Sequence, residues 1–121
     1  MASKNFSCLK KSKDFKLVAN SCTSYKHRFF FVKIAKKNLI SSVQTEYPVL
    51  GVTISRKIGK AVIRNKIKRR IKAIFLSFDF NIEQSSLIYS FYVKQNIIYA
   101  SYAELKNEVD KVKKNINKYL I

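Results

Sequence analysis

A strongly basic segment, residues 56–72 (RKIGKAVIRNKIKRRIK), is the feature that most constrains how this chain can fold. It holds nine Lys or Arg residues and no acid in seventeen positions, yet apolar residues recur through it. At 100° per residue, six apolar side chains of this segment and its continuation fall within about one third of a helix circumference. They are Ile63, Ile67, Ile71, Ile74, Phe75 and Phe78. The pattern predicts a helix that begins near Lys60 or Ala61, packs one stripe on a core and turns cations outward.

The net charge restricts the class of partner. Twenty-five Lys and Arg against seven Asp and Glu give +18, and so much like charge repels itself unless a polyanion neutralises it. Residues 47–78 contain no acid, whereas a helix whose charges only face solvent usually mixes signs to form i,i+4 pairs. Asn65, set among the cations, suits a base edge or a ribose hydroxyl. These features favour RNA over the rival partner, an anionic membrane surface.

The other segments predict one α+β domain over residues 1–121, in which helices cover a sheet. Aromatic and β-branched residues predict strands, and their ranges are 23–25, 27–35, 49–55 and 87–93. Apolar residues at helical spacing predict a short helix over 14–20 and a C-terminal helix. Ser101 and Glu104 have the spacing of a capping box at the start of that last helix. The predicted order is α-β-β-β-α-β-α.

The side chains offer little chemistry for catalysis. The only histidine, His27, stands between Lys26 and Arg28, where an imidazole is a poor proton acceptor at neutral pH. It is interpreted as a surface histidine near a polyanion site. Glu104, Glu108 and Asp110 are interpreted as a solvated helix face rather than a metal site. No catalytic residue and no metal ligand are therefore predicted.

The cysteines and the hydropathy pattern indicate a compartment. Cys8 and Cys22 have no CxxC partner, so both are predicted to be free, reduced thiols. No apolar run approaches the roughly 18 residues of a membrane span, and the first residues lack the apolar core of a secretory signal. The sequence predicts a soluble, cytoplasmic protein without a membrane partner.

Residues 51–75, GVTISRKIGKAVIRNKIKRRIKAIF, resemble the signature of the bacterial ribonuclease P protein subunit. In that family a strand ends in two basic residues, followed by a hydrophobic residue and Gly, and then by a Lys-Ala-Val helix start with Arg-Asn-Arg and Lys-Arg. Here the turn is Gly59 and the Arg-Asn-Arg element is Arg64-Asn65-Lys66. Lys66 in place of the second Arg keeps the charge but loses the planar guanidinium. Phe15 and Arg28 match the family more weakly.

The resemblance implies a function and a fold. The protein would assist a catalytic RNA, which uses Mg²⁺, in removing the 5′ leader of precursor tRNA, so that no cofactor is held by protein side chains alone. The implied partners are that RNA and precursor tRNA, and no protein partner is predicted. The implied fold is a two-layer α/β sandwich similar to domain 2 of ribosomal protein S5, with a left-handed β-α-β crossover through the basic helix. The alternative is a general RNA-binding or ribosomal protein without a role in leader binding.

The resemblance also assigns residues to two sites. The basic helix and the turn before it would contact the catalytic RNA through Arg56, Lys57, Gly59, Lys60, Arg64, Asn65, Lys66, Lys68, Arg69 and Arg70. The leader would lie in a cleft lined by Phe15, Phe30, Lys33 and Lys94. Lys33 departs from the family pattern, because an aromatic residue is often found at that position.

Overall fold

The structure is a computed structural model and describes residues 6–9, 11–21, 24–37, 46–79 and 85–115. Its strands are β1 (Ser7–Cys8), β2 (Ser24–Lys26), β3 (Phe30–Lys36), β4 (Val49–Thr53) and β5 (Leu87–Val93). Its helices are α1 (Ser12–Ser21), α2 (Ala61–Leu76) and α3 (Tyr102–Lys114). Short 3-10 turns at Arg56–Ile58 and Gln95–Tyr99 precede α2 and α3. The predicted α+β class is confirmed, with β1 and the two 3-10 turns added to the predicted order.

The five strands form one mixed sheet in the order β1-β4-β5-β3-β2. The β1–β4 and β4–β5 pairs are parallel, and the β3–β5 and β2–β3 pairs are antiparallel. The register places Val32 opposite Phe91 and Leu50 opposite Tyr89. Since β4 and β5 are adjacent and parallel, α2 is the crossover of a β-α-β unit. The left-handed sense of that crossover stays a prediction.

One face of the sheet is covered by α2 and α3 and forms the main core. Ile71 and Ile74 of α2 and Leu105 of α3 are buried in it. Aromatic rings contribute edge-to-face contacts, with the centroids of Phe75 and Tyr89 5.3 Å apart, a geometry that aromatic pairs prefer. The helices of this layer hold the basic surface of α2 on the outside of the molecule.

The other face of the sheet is only partly covered, by α1. Val18 of α1 packs with Ala35, Val49 and Ile88 in a second, smaller core cluster. These residues alternate with those of the main core along their strands, as the period of two requires. The part of this face that carries Phe31 and Lys33 lies beyond the small cluster, and both side chains keep some exposure to solvent.

The first turn of α2 differs from the prediction. Ile67, Ile71, Ile74 and Phe75 are buried as expected, but Ile63 is 42% exposed. Its assignment to the apolar stripe is therefore only partly correct, because a helical-wheel angle does not show whether another element covers that turn of the helix. Val62 is 77% exposed, so the start of α2 presents apolar groups as well as cations to solvent.

Several boundaries shift for identifiable reasons. The strand predicted over 27–35 begins at Phe30, since Arg28 and Phe29 form a bend. The strand predicted over 49–55 ends at Thr53, and β5 has the bounds predicted for it. The capping box predicted at the start of α3 is confirmed. The backbone N–H of Glu104 donates to Ser101 Oγ at 3.1 Å, and that of Ser101 donates to Glu104 Oε1 at 3.0 Å.

The predicted strand near 23–25 is β2, shifted by one residue; Thr23 itself is not among the described residues. Cys8 lies on β1 as a free thiol of intermediate exposure, and Cys22 also lies outside the described residues.

Candidate nucleic-acid interface

The turn before α2 is held by its own residues. Ser55 Oγ accepts a hydrogen bond from the backbone N–H of Lys57 at 3.2 Å, and the buried side chain of Ile58 anchors the turn in the main core. Gly59 has φ 159° and ψ −172°, a region that is essentially restricted to glycine. A Cβ at Gly59 would also lie 3.1 Å from Ile63 Cδ1. The sharp entry into α2 therefore requires glycine.

The start of α2 can accept an anion. Lys60 occupies the N-cap position but makes no side-chain cap, so the backbone N–H groups of the first turn keep their hydrogen-bonding capacity. Such groups and the positive end of the helix dipole together favour phosphate or carboxylate ligands.

The predicted RNA-binding residues lie together on this turn and on the outward side of α2. The exposed members are Arg56, Lys57, Lys60, Asn65, Lys66 and Arg69, and those of intermediate exposure are Gly59, Arg64, Lys68 and Arg70. The ion pairs of Arg28, Lys111 and Lys114 with acids of α3 involve no cation of α2. These ion pairs therefore leave the positive charge of α2 unneutralised.

A second group of predicted residues lies on the opposite face of the sheet. The half-buried ring of Phe15, on α1, packs directly over Gly51 of β4, where an added Cβ would come within 2.8 Å of Phe15 Cε1. Phe31 on β3 is 37% exposed and is paired across the sheet with Tyr92 on β5. Phe15, Phe31 and Tyr92 therefore give this face an aromatic character.

Two lysines stand beside these rings. Lys33 Nζ donates to the backbone oxygen of Ala19 at 2.5 Å and lies 5.8 Å from the ring centroid of Tyr92. Lys94 Nζ donates to the backbone oxygen of His27 at 2.5 Å and lies 4.7 Å from the ring centroid of Phe31. Both distances are within the range of cation–π attraction. Burial, together with the charge of nearby Lys26, holds the pKa of Lys94 below its usual range, although Glu108 opposes the effect.

The predicted leader contact of Phe30 is wrong. Its side chain is completely buried, stacked with His27 at 5.2 Å between centroids and edge-to-face with Phe91 at 5.0 Å. Positions 30 and 33 are three apart, so a regular strand places them on opposite faces. The residue of β3 that shares a face with Lys33 is Phe31, and the period-2 rule applied from Lys33 would have identified it.

The bend between β2 and β3 is tied to α3 by a buried carboxylate. Glu108 is only 7% exposed; it accepts hydrogen bonds from the Arg28 backbone N–H at 3.0 Å and from Lys111 Nζ at 2.8 Å. Burial raises the pKa of Glu108, but these hydrogen bonds outweigh it and hold the pKa below its ordinary value. The interpretation of Glu104, Glu108 and Asp110 as a solvated face is thus wrong for Glu108.

The histidine in this bend is packed against the core. His27 is half-buried and stacks on Phe30, so its interpretation as a surface histidine is also corrected. Burial lowers the pKa of His27, and the charges of Lys111 and Lys94 lower it further against the opposing effect of Glu108.

Two kinds of feature, a helix that could span a membrane and a cluster of metal-binding side chains, are absent from the described ranges. No helix there is long and apolar enough to cross a membrane. In the same ranges, no three or more His, Cys, Asp or Glu side chains are grouped so as to hold a metal ion.

Comparison with known proteins identifies the family. The family model described as Ribonuclease P matches residues 4–117. The Helicobacter hepaticus ribonuclease P protein component is 32% identical over 118 residues, covering 84% of this chain and 77% of that protein. The Rickettsia felis component is 42% identical over 66 residues, which are 53% of this chain and 56% of that protein.

Solved structures agree with this match. The Staphylococcus aureus RNase P protein superposes with a TM-score of 0.72 at 27% identity, covering 93% of this chain and 95% of that one. The Thermotoga maritima RNase P protein has a TM-score of 0.70 at 22% identity, covering 86% of this chain and 92% of that one, and is similar in fold. The chain belongs to the ribonuclease P protein family: it is the protein subunit of a tRNA-processing endoribonuclease ribonucleoprotein, in which its partner is the ribonuclease P RNA.

Proposed function

We propose that this protein binds the catalytic RNA of ribonuclease P through α2 and the turn before it, and holds the 5′ leader of precursor tRNA on the opposite face of the sheet. Together these contacts assist the endonucleolytic removal of the leader that gives the mature tRNA 5′ end. The observation that carries the proposal is the cationic, acid-free surface of α2 in a member of this family.

The chemistry of the α2 surface supports an RNA backbone as its ligand. Lys and Arg side chains and helix N-termini are the groups that usually contact phosphates, and both occur here around Gly59. Exposed Asn65 adds an amide that can both donate and accept a hydrogen bond. An amide among cations suits a ribose hydroxyl or a base edge, and so favours RNA over a surface that offers charge alone.

The open face of the sheet supports a single-stranded ligand. Aromatic rings with lysines beside them bind unpaired nucleotides, because bases stack on the rings while ammonium groups neutralise the backbone. Phe15, Phe31, Lys33 and Lys94 provide this combination around one face. The leader of precursor tRNA is the single-stranded part of the substrate, and we assign it to this face with Phe31 in place of Phe30.

The chemical step is assigned to the RNA. The RNA subunit binds the Mg²⁺, and we assign no catalytic or metal-binding role to a protein side chain. The protein's own contribution is to neutralise phosphate charge and to fix the leader beside the catalytic RNA. We place this activity in the cytoplasm, where precursor tRNA is processed in bacteria.

Reconstitution tests the proposal directly. The protein is mixed with the ribonuclease P RNA transcribed from the same genome, and precursor-tRNA cleavage is measured at low Mg²⁺, where RNA alone is slow. The expected result is faster cleavage than by RNA alone. Cleavage that is no faster in the presence of the protein would refute the proposed function.

A combined Arg64→Ala, Asn65→Ala and Arg69→Ala variant tests the α2 surface. It should remain folded but bind the RNA less tightly. The logarithm of its affinity should depend less steeply on the logarithm of salt concentration, by about 0.9 for each phosphate that the variant no longer neutralises. A matched control is Lys106→Ala with Lys114→Ala on α3, which also removes two positive charges. Equal losses of affinity in both variants would show that only total charge matters.

Crosslinking tests the leader-binding face. A photo-reactive group placed at Phe31 should crosslink to leader nucleotides of bound precursor tRNA, whereas the same group at Asn107 on α3 should not. Crosslinks from Phe31 to the catalytic RNA alone would favour the alternative, a general RNA-binding protein without a role in leader binding.

A further inference from the structure

The most exposed large apolar side chains of the described residues flank the basic turn before α2. Tyr99 is 82% exposed and Val62 is 77% exposed. Tyr99 ends the 3-10 turn Gln95–Tyr99, and the exposed side chains of Ile98 and Tyr102 lie next to it in the chain. Large apolar groups exposed together on a protein surface mark interaction sites.

The fold places this aromatic turn beside the basic turn. The turns Arg56–Ile58 and Gln95–Tyr99 pack against each other, and Ile58 and Ile97 are buried in the same core cluster. Ile97 also fixes its own turn, since its backbone N–H donates to Lys94 O at 3.1 Å and its carbonyl accepts from Ala100 N at 3.0 Å. Tyr99 is thus an exposed ring on a turn that is anchored in the core by Ile97 and packs against the turn that carries Arg56 and Lys57.

We propose that Tyr99 is a stacking platform for an unpaired nucleotide of the catalytic RNA, with Tyr102 and Ile98 at its border, so that the RNA interface continues from α2 onto the start of α3. This inference rests on the proposed RNA-binding role of α2. Base stacking on an exposed ring needs no particular sequence, because every base has a π face, and cations beside the ring hold the adjoining phosphates.

Charge decides between the candidate occupants of this patch. A second copy of the chain would bring another +18 charges against the cations of the basic turn, and such like charges repel. An RNA strand supplies both a base for the ring and phosphates for Arg56 and Lys57. The turn that carries Tyr99 packs against the RNA-binding turn, so the catalytic RNA is favoured over the substrate.

Affinity for the ribonuclease P RNA gives the first test. Tyr99→Ala should raise the Kd by about 5- to 100-fold, the usual effect of removing one base–aromatic stack. Tyr99→Phe keeps the ring and should bind like the unchanged protein. The salt dependence should keep its slope in Tyr99→Ala, because no cation is removed, whereas Arg56→Ala should reduce the slope by about 0.9.

Fluorescence gives a second test that does not depend on affinity. The sequence contains no tryptophan, so Tyr99→Trp introduces a single tryptophan at the patch, whose emission is distinct from that of the tyrosines. Its emission should be quenched when the catalytic RNA binds. Asn107→Trp is the control, since Asn107 borders a groove on α3 whose cations, Arg28, Lys111 and Lys114, already form ion pairs with acids; its emission should stay unchanged.

The outcomes of these experiments distinguish the stacking role of Tyr99 from the RNA-binding function on which it depends. If the unchanged protein does not bind the RNA, the proposed function fails and the stacking role fails with it. If it binds but Tyr99→Ala binds equally well, only the stacking role is refuted. Quenching that appears only when precursor tRNA is added to the assembled holoenzyme would refute the assignment to the catalytic RNA. A change in self-association by sedimentation, with RNA affinity unchanged, would make the patch a contact between two copies and would also overturn the proposal.

Discussion

The buried carboxylate of Glu108 gives the sharpest prediction about stability. One of its two hydrogen bonds joins α3 to the bend before β3, where Arg28 lies 80 positions away in sequence; the other pairs it with Lys111 on α3 itself. Removing it in Glu108→Ala leaves the Arg28 backbone N–H without this acceptor, which costs about 1–3 kcal/mol. The Lys111 partner has a mostly exposed side chain, so its ion pair adds less than about 1 kcal/mol. The expected loss of unfolding free energy, dominated by the first term, is therefore about 2 kcal/mol.

The assay is urea denaturation of the free protein, followed by circular dichroism. Glu108→Ala should lose about 2 kcal/mol, or roughly 6–12 °C in Tm. Glu108→Gln keeps an oxygen for Arg28 and should lose about half as much. Asp110→Ala is the matched control, because it breaks an exposed pair with Lys114 on the same helix, and its loss should stay below about 0.5 kcal/mol.

The dependence of the unfolding free energy on pH provides an independent check. The pKa of Glu108 is lowered in the folded state, so its charge contributes stability above the unfolded pKa and that contribution is lost as pH falls through the folded pKa. The gap between the unchanged protein and Glu108→Gln should therefore be constant near neutral pH and close in the acid range, below the ordinary value of 4.5. A gap that persists undiminished at strongly acid pH, or a Glu108→Ala variant as stable as Asp110→Ala, would refute this reasoning.

Three further predictions concern single side chains. Gly51→Ala should destabilise the fold by about 1–3 kcal/mol in urea denaturation, because its Cβ would meet Phe15 Cε1 at 2.8 Å; Gly51→Ser should be at least as costly. Ser101→Ala removes the cap of α3 and should cost about 1 kcal/mol in the same assay, and Ser101→Asp should restore most of it. Phe31→Ala should raise the Kd of the holoenzyme for precursor tRNA by about 5- to 100-fold, with no change for tRNA that lacks a leader.

Each of these predictions has a contradicting result. A Gly51→Ala variant of unchanged stability would mean that the Phe15 ring can move aside freely. Equal stability of Ser101→Ala and the unchanged protein would show that the capping box is dispensable. If Phe31→Ala weakened the binding of leaderless tRNA as much as that of precursor tRNA, the ring would not contact the leader.

Features with a local signal could be predicted from the sequence. The bounds of β5 follow from a run of apolar and β-branched residues, and the start of α3 follows from Ser101 and Glu104 three positions apart. The start of α2 follows from Gly59 and from the period of the isoleucines after it. In each case the residues that decide the structure are neighbours in the chain.

Features that depend on distant partners could not be predicted. The burial of Glu108 requires an N–H group from a bend 80 positions earlier. The two-residue strand β1 is too short to show any periodicity and exists because it pairs with β4. The partial exposure of Ile63 depends on which distant elements cover the first turn of α2. The buried face of Phe30, by contrast, follows from its spacing to Lys33, because strand alternation separates positions three apart; a family pattern alone does not carry that information.

The position of β5 in the sheet has a consequence for how the chain is made. β5 is the last strand in sequence among those described, yet it lies between β4 and β3, and these two strands do not pair with each other. During synthesis, therefore, the sheet cannot close until β5 has emerged, and the inner edges of β3 and β4 stay unpaired until then. Pairings of this kind make folding slow and leave the nascent chain prone to aggregation. The basic helix α2 is complete before β5, so its charged surface is already present on the growing chain before the sheet can form in full.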